Sequence, residues 1–186
     1  MDGEGLKYWL ALSRLRGLDR LGVRGLLQRF SSPREIFDCP DVIDSFSSVL
    51  ARGVREFDSW SWVEDQLDAM EKNGARAITF NDSGFPPLLR HVPDPPCMLF
   101  AKGRALDGKA LPVAVVGTRH PSQYGLKMAQ MLGRDLASMG VSVVSGMARG
   151  CDMAGHKGAL SAGGFTVAGL GTGVDLAYPP EARRLY

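Results

Sequence analysis

Asp152 and His156 stand four residues apart in CDMAGHKGAL, and on a helix that spacing puts a carboxylate and an imidazole on one face. Such a pair does acid–base chemistry when the carboxylate orients the ring. Asp152 equally fits a helix start, where a carboxylate caps free N–H groups and meets the positive end of the dipole. Cys151 precedes the helix, where a thiolate is stabilised, yet a small buried residue fits there as well. No serine, second cysteine or second carboxylate is spaced to complete a nucleophilic set. The surrounding residues point to anion binding instead. VSVVSGMARGCDMAGH, residues 141–156, is a β-branched run that stops in Ser145, Gly146, Ala148 and Gly150, more small residues than a turn requires. Such a loop lets backbone N–H groups approach a phosphate, and Gly146 is expected to need both the missing Cβ and a positive φ. Arg119 in GTRHPSQYG and Arg149 in SGMARGCD add forked donors for phosphate oxygens.

Regular elements must position these loops. PVAVVG, VSVVSG and FTVAGLG read as strands, and the first two are apolar runs of the kind buried on both sheet faces. Between them, QYGLKMAQMLGRDLASMG spaces Leu126, Ala129, Leu132 and Leu136 for a helix ending at Gly140, and DMAGHKGALSAGG gives a shorter helix stopped by paired glycines. YPPEARRLY starts another helix with Pro179 or Pro180 in its first turn. This β–α series implies a parallel sheet, so GTRHPSQYG, SGMARGCD and GLGTGVDLAYPP leave it at one end, where open α/β sheets bind ligands. Tyr124 and Tyr178 are the near candidates for stacking on a base. A dinucleotide fingerprint is missing after the first strand, and no GKS or GKT forms a phosphate loop.

The first 72 residues read differently, as short helices. LKYWLALSRL places Leu6, Trp9, Leu10 and Leu12 mostly on one face; Gly17, Gly22 and Gly25 punctuate RGLDRLGVRGLLQRF; Ser32 and Pro33 open a further helix. One long helix is expected from about Val54 to Asn73, with Gly74 as its cap. LRGLDRLGVRGLL is a loose helix–hairpin–helix pattern that presents backbone N–H groups to DNA phosphates, or a packing module with glycine turns. ARAITFND and CMLFAKG read as strands on either side of a proline-rich surface stretch, and RALDGKAL as a polar connection.

Composition bounds the rest. With 186 residues, 45% hydrophobic and 23% charged, the chain has room for one ordinary domain and a smaller one. No apolar run approaches a membrane span, and MDGEGLKYWL lacks a signal-peptide layout. Cys39, Cys97 and Cys151 are scattered and form no CxxC, which favours reduced thiols in a cytoplasm over disulfides or zinc. Charge is uneven: residues 1–100 carry 12 Lys/Arg against 15 Asp/Glu, residues 101–186 carry 10 against 5. The second part is the better face for a polyanion.

Taken together the motifs resemble the DprA/Smf family, the DNA-processing proteins of bacterial transformation. VAVVGTRHPSQYG is similar to the family's VGsR with a following YG, SGMARGCDMAGHKGAL to SGxAxGID with AH and AL, and GLGTGVDLAYP to GxGxDxxYP. FPPLLRHVPDPPCMLFAKG resembles the family stretch YPxxL, dpP and LyxkG. Cys151 stands where the family has Ile, and Gly155 where an Ala commonly precedes the His. The resemblance implies an α/β fold: a Rossmann-like parallel-sheet domain over residues 73–186, preceded by a small all-α SAM-like or helix–hairpin–helix domain over 1–72. It implies a non-enzymatic, cytoplasmic role without cofactor, metal or membrane: binding single-stranded DNA, protecting incoming DNA and helping to load the RecA recombinase. By position, the DNA phosphates would meet Gly117, Thr118, Arg119, Ser145, Gly146, Met147, Ala148, Arg149 and Gly150, with Gly171 and Gly173 lining the same crevice. Asp152 and His156 would brace the second loop. The family's sheet and its homodimer surface continue past the position of Tyr186, so the chain is expected to be part of a longer protein. The alternative is a nucleotide-processing enzyme resembling the phosphoribohydrolases, whose PGGxGTxxE signature is absent here.

Overall fold

Helix starts and stops in the first part of the chain follow local chemistry. In the computed structural model, which describes residues 3–105 and 110–186, Ser32 accepts a hydrogen bond from Glu35 N through its hydroxyl and Pro33 takes the first helical position. Gly74 closes a helix in the left-handed conformation, φ 60°. The helices are α1 (Gly3–Arg14), α2 (Leu18–Leu27), α3 (Pro33–Asp38), α4 (Pro40–Asp44), α5 (Ser48–Arg55) and α6 (Trp60–Asn73). Gly22, φ 67° and ψ 159°, kinks α2. The single helix expected from Val54 to Asn73 is two, separated at Glu56–Ser59. Phe57 turns inward there, edge-on to Phe37 and Trp60, a tertiary contact that helical periodicity does not carry.

β1 (Arg76–Thr79) and β2 (Met98–Ala101) pair antiparallel, and the proline-rich stretch between them holds a one-turn helix, α7 (Pro87–Arg90). Packing divides the chain into two units between Arg104 and Ala105, whereas the sequence placed its boundary at residue 72. The reason is that Cys97 and Met98, with Ala77 and Phe80, join the helical core of Leu10, Leu12, Leu26, Ile36, Ile43, Leu50 and Val63. Each of those large side chains is fully buried, contributing about 1.5–3 kcal/mol apiece. Half of the expected connection RALDGKAL, residues 106–109, lies outside the described residues.

The second unit is a parallel three-stranded sheet in the order β3 (Pro112–Ala114), β4 (Ser142–Ser145), β5 (Thr166–Ala168). Helices α8 (Gln123–Ser138) and α9 (Cys151–Ser161) make the crossovers and pack against each other. They cover one sheet face, where Val115 and Val143 meet Ala137 and Ala159. The strands were expected to be buried on both faces. Only one is well covered within this unit: Ala114 is exposed, and Val116 is 75% exposed. The buried stripe of α8 is Ala129, Gly133 and Ala137, while Leu132 is half exposed. Small residues win because the helices touch backbone to backbone: a Cβ on Gly133 or Gly158 would overlap the carbonyl oxygen of Gly155 or Gln130. The expected last helix is a short 3₁₀ turn, Pro180–Arg184.

Candidate functional site

The three strand-end loops converge as the parallel sheet requires. Their junction is a crevice of about 270 Å³ lined by Arg119 from the first loop, Gly146, Met147, Ala148 and Arg149 from the second, and Leu170, Gly171, Thr172, Tyr178 and Pro179 from the third. Six of the expected phosphate-contacting residues therefore share one cavity: Arg119, Gly146, Met147, Ala148, Arg149 and Gly171. The other five lie behind or beside it. Ser145 is buried and donates its hydroxyl to Val115 O at 2.6 Å, stitching β4 to the end of the first strand. Thr118 O accepts the N–H of Cys151 at 3.2 Å, so the first loop closes the start of α9. Gly117 and Gly150 make that approach possible. A Cβ on Gly117 would sit 2.7 Å from the Cys151 side chain, and Gly150, φ 83°, abuts the Thr118 carbonyl. Gly173 packs beside Asp175.

The second loop is held from within. Asp152 is buried at the first turn of α9, and its Oδ2 accepts the N–H of Gly146 at 3.1 Å and of Ala148 at 3.3 Å. Those two N–H groups point inward at a carboxylate, so they serve the loop's shape and not a ligand. The positive φ expected at Gly146 belongs to Met147, φ 59°; what Gly146 needs is room, since a Cβ would lie 3.0 Å from the Asp152 carboxylate. Met147 buries its side chain against Met153 and Ala182.

His156 does not join Asp152 at the loop. Its ring is buried one turn further on, with Nδ1 2.7 Å from Thr166 Oγ1. Thr166 gives its hydroxyl proton to Val143 O, so Nδ1 must be the donor and Nε2 the bare nitrogen, which is buried without a partner among the described residues. Burial lowers the ring's pKa, and the Asp152 charge opposes that only in part. A neutral ring tied to β5 holds the helix to the sheet; neither member of the pair presents an acid or base to the crevice.

The cations differ from one another. Arg119 is exposed and makes no ion pair among the described residues. Arg149 forms a two-pronged bridge to Glu181 in the 3₁₀ turn, Nε to Oε1 at 3.1 Å and Nη2 to Oε2 at 3.2 Å. The guanidinium's pKa rises and that of Glu181 falls, each chiefly through this hydrogen bonding. Sequence reasoning missed Glu181 because 32 residues separate the partners; only the YPP that pins the turn beside the loops hinted at it. Of the two tyrosines, Tyr178 lines the crevice and Tyr124 does not. Among the described residues no group of His, Cys, Asp and Glu is arranged for a metal, and no helix is long and apolar enough to cross a membrane.

With this geometry in view, the comparisons decide the family. The model of DNA recombination-mediator protein A matches residues 76–186, more than half the chain. The chain belongs to the DprA/Smf family. Among its DprA/Smf relatives, Protein Smf of Synechocystis is 29% identical over 96% of this chain and 47% of its own length. DNA processing protein DprA of Streptococcus pneumoniae is 43% identical over 56% of this chain and 36% of its own. The X-ray structure of the latter superposes over 96% of this chain and 61% of its own, with a TM-score of 0.69 and 30% identity. The chain thus spans about half or less of the curated relatives it matches. The match from Arg76 onward takes in the β1–β2 pair, which packs with the helical unit yet belongs to the family segment.

Proposed function

We propose that the crevice binds the phosphodiester backbone of single-stranded DNA, as the DNA-handling site of a recombination mediator. The observation that carries this reading is the convergence of Arg119 and Arg149 with the small-residue loops at the carboxyl ends of three parallel strands. Its donors include the two guanidinium groups and the backbone of the third loop, whose Gly171 and Thr172 N–H groups make no hydrogen bond among the described residues. The shape favours a single strand: the elements at the crevice are loops and a short turn, none formed to enter a major groove. Tyr178 is the sole aromatic lining it among the described residues, so base preference is weak.

The reading extends to what the family implies. The protein holds and protects incoming DNA during natural transformation and helps load RecA onto it, without catalysing a reaction, in the cytoplasm and as a homodimer when full length. The sheet unit is Rossmann-like and the helical unit SAM-like on this account. A band-shift with a fluorescent oligo-dT against a duplex of equal length tests the DNA step. Retention of the single strand at concentrations that leave the duplex free supports it; equal retention of both, or of neither, refutes it. Adding RecA to the pre-formed complex and following filament growth tests the loading step.

A further inference from the structure

Arg149 presents an apparent contradiction. It is one of two cations in the crevice, yet its charge is already met by Glu181. A carboxylate beside an anion site acts in one of two ways: it competes for the cation, or it holds the cation in place. The atoms involved decide between them. Glu181 takes the side edge of the guanidinium, Nε and Nη2. A guanidinium has five N–H donors in a rigid plane. The bridge uses two of them and the Tyr178 hydroxyl reaches the same guanidinium, which still leaves N–H donors of the five for another planar or tetrahedral oxyanion.

We propose that Glu181 is a positioning residue for DNA: it anchors Arg149 by one edge so that the other edge faces a phosphate in the crevice. The proposal rests on the crevice being the DNA site. Exposed ion pairs ordinarily contribute little, because two long side chains must be ordered in high dielectric. Here ordering is the function. A free arginine side chain has many rotamers, and fixing it before the ligand arrives removes that entropy from binding. Glu181 is itself placed without a flexible tether. Pro180 begins its 3₁₀ turn, and Ala182 next to it is fully buried against Met147 and Met153 of the second loop and α9. The bridge therefore ties the third loop's exit to the cation-bearing side chain of the second loop.

The test is the sign of a substitution. Removing a negative charge near DNA should tighten binding if Glu181 competes, and loosen it if Glu181 positions. Oligo-dT affinity is measured for the wild-type chain and for Glu181→Ala, Glu181→Gln, Arg149→Ala and the Glu181→Ala/Arg149→Ala pair. Measurements run at about 0.15 M salt and again at about 0.3 M, where the plain effect of an exposed charge is further screened. Positioning predicts that Glu181→Ala weakens binding about three- to tenfold at both salts, that Gln recovers part of the loss with its single acceptor, and that Glu181→Ala has no further effect once Arg149 is gone. Tighter binding by Glu181→Ala overturns the proposal in favour of competition. An equal loss in the Arg149→Ala background, with a lower melting temperature, overturns it in favour of a structural role for the turn. If the wild-type chain itself retains no oligo-dT, the reading of the crevice fails and the Glu181 proposal that rests on it falls with it.

Discussion

The two units of this chain are stabilised in opposite ways. The helical unit fills its core with large side chains, Leu10, Leu12, Leu26, Ile36, Ile43 and Leu50 among them, all fully buried. In the sheet unit the helix-to-sheet cluster consists of Val115, Ala137, Val143 and Ala159, and its helices meet through glycines. One core is apolar volume, the other close approach of backbone. The first should suffer from truncation and the second from growth. The difference has a use. Close approach also shapes the crevice, because Gly117 and Gly150 let the first loop close on the start of α9.

The largest effect expected is therefore from adding atoms. Gly158→Val would drive a branched side chain into the backbone of Gln130 and Arg134, which cannot move aside as a flexible side chain could. Overpacking of this kind costs about 3 kcal/mol or more. Hydrogen exchange should show protection lost across β3–β5 with α1–α6 still protected; an intact sheet would break the comparison. Next is the reverse experiment in the other unit. Leu10→Ala deletes a fully buried side chain and should cost about 3 kcal/mol, read as earlier denaturation of the helical unit. A loss below about 1 kcal/mol would mean that core is not volume-dependent.

Asp152→Ala comes third. It frees two loop N–H groups and should destabilise by about 1–3 kcal/mol while loosening DNA binding, because the loop loses its internal anchor. Wild-type affinity at a reduced melting temperature would separate the loop's shape from the site. The smallest effect concerns pH. The folded protein holds His156 below the ordinary value of 6.5, so the neutral ring favours folding. Its contribution is complete above 6.5 and is lost as pH falls through the lower folded value. Melting temperature followed from pH 7.5 down to about 5 should decline, and His156→Gln should flatten that part of the decline. An unchanged slope in the variant would place the acid sensitivity elsewhere.

How much was legible in the sequence divides along similar lines. Caps and stops read correctly where one residue decides them: Ser32, Gly74 and Gly140 act locally. The β–α alternation gave the parallel order and the meeting of three loops, and the loops themselves pointed to Arg119, Gly146, Ala148 and Arg149; Met147 and Gly171 were named only through the family resemblance. What escaped depends on contacts between distant residues. The break at Phe57 answers to Phe37 and Trp60, and the buried face of α8 is its small residues because α9 presses so close. His156 faces Thr166 rather than the loop because i, i+4 neighbours can share a helix face and still have different partners. The pairing of Arg149 with Glu181 needed the turn that brings them together.

The central claim is that phosphate contacts in the crevice carry DNA binding, and Arg119 tests it most directly, since its side chain is exposed, lines the crevice and makes no ion pair among the described residues. Oligo-dT affinity of the wild-type chain and of Arg119→Ala is measured across a salt series. Each neutralised phosphate on a single strand contributes a log–log slope of about −0.7. The account predicts weaker binding by the variant to every sequence alike, with the slope flattened by about 0.7. Equal affinity and an equal slope would contradict it, and would move the DNA to another face of the protein.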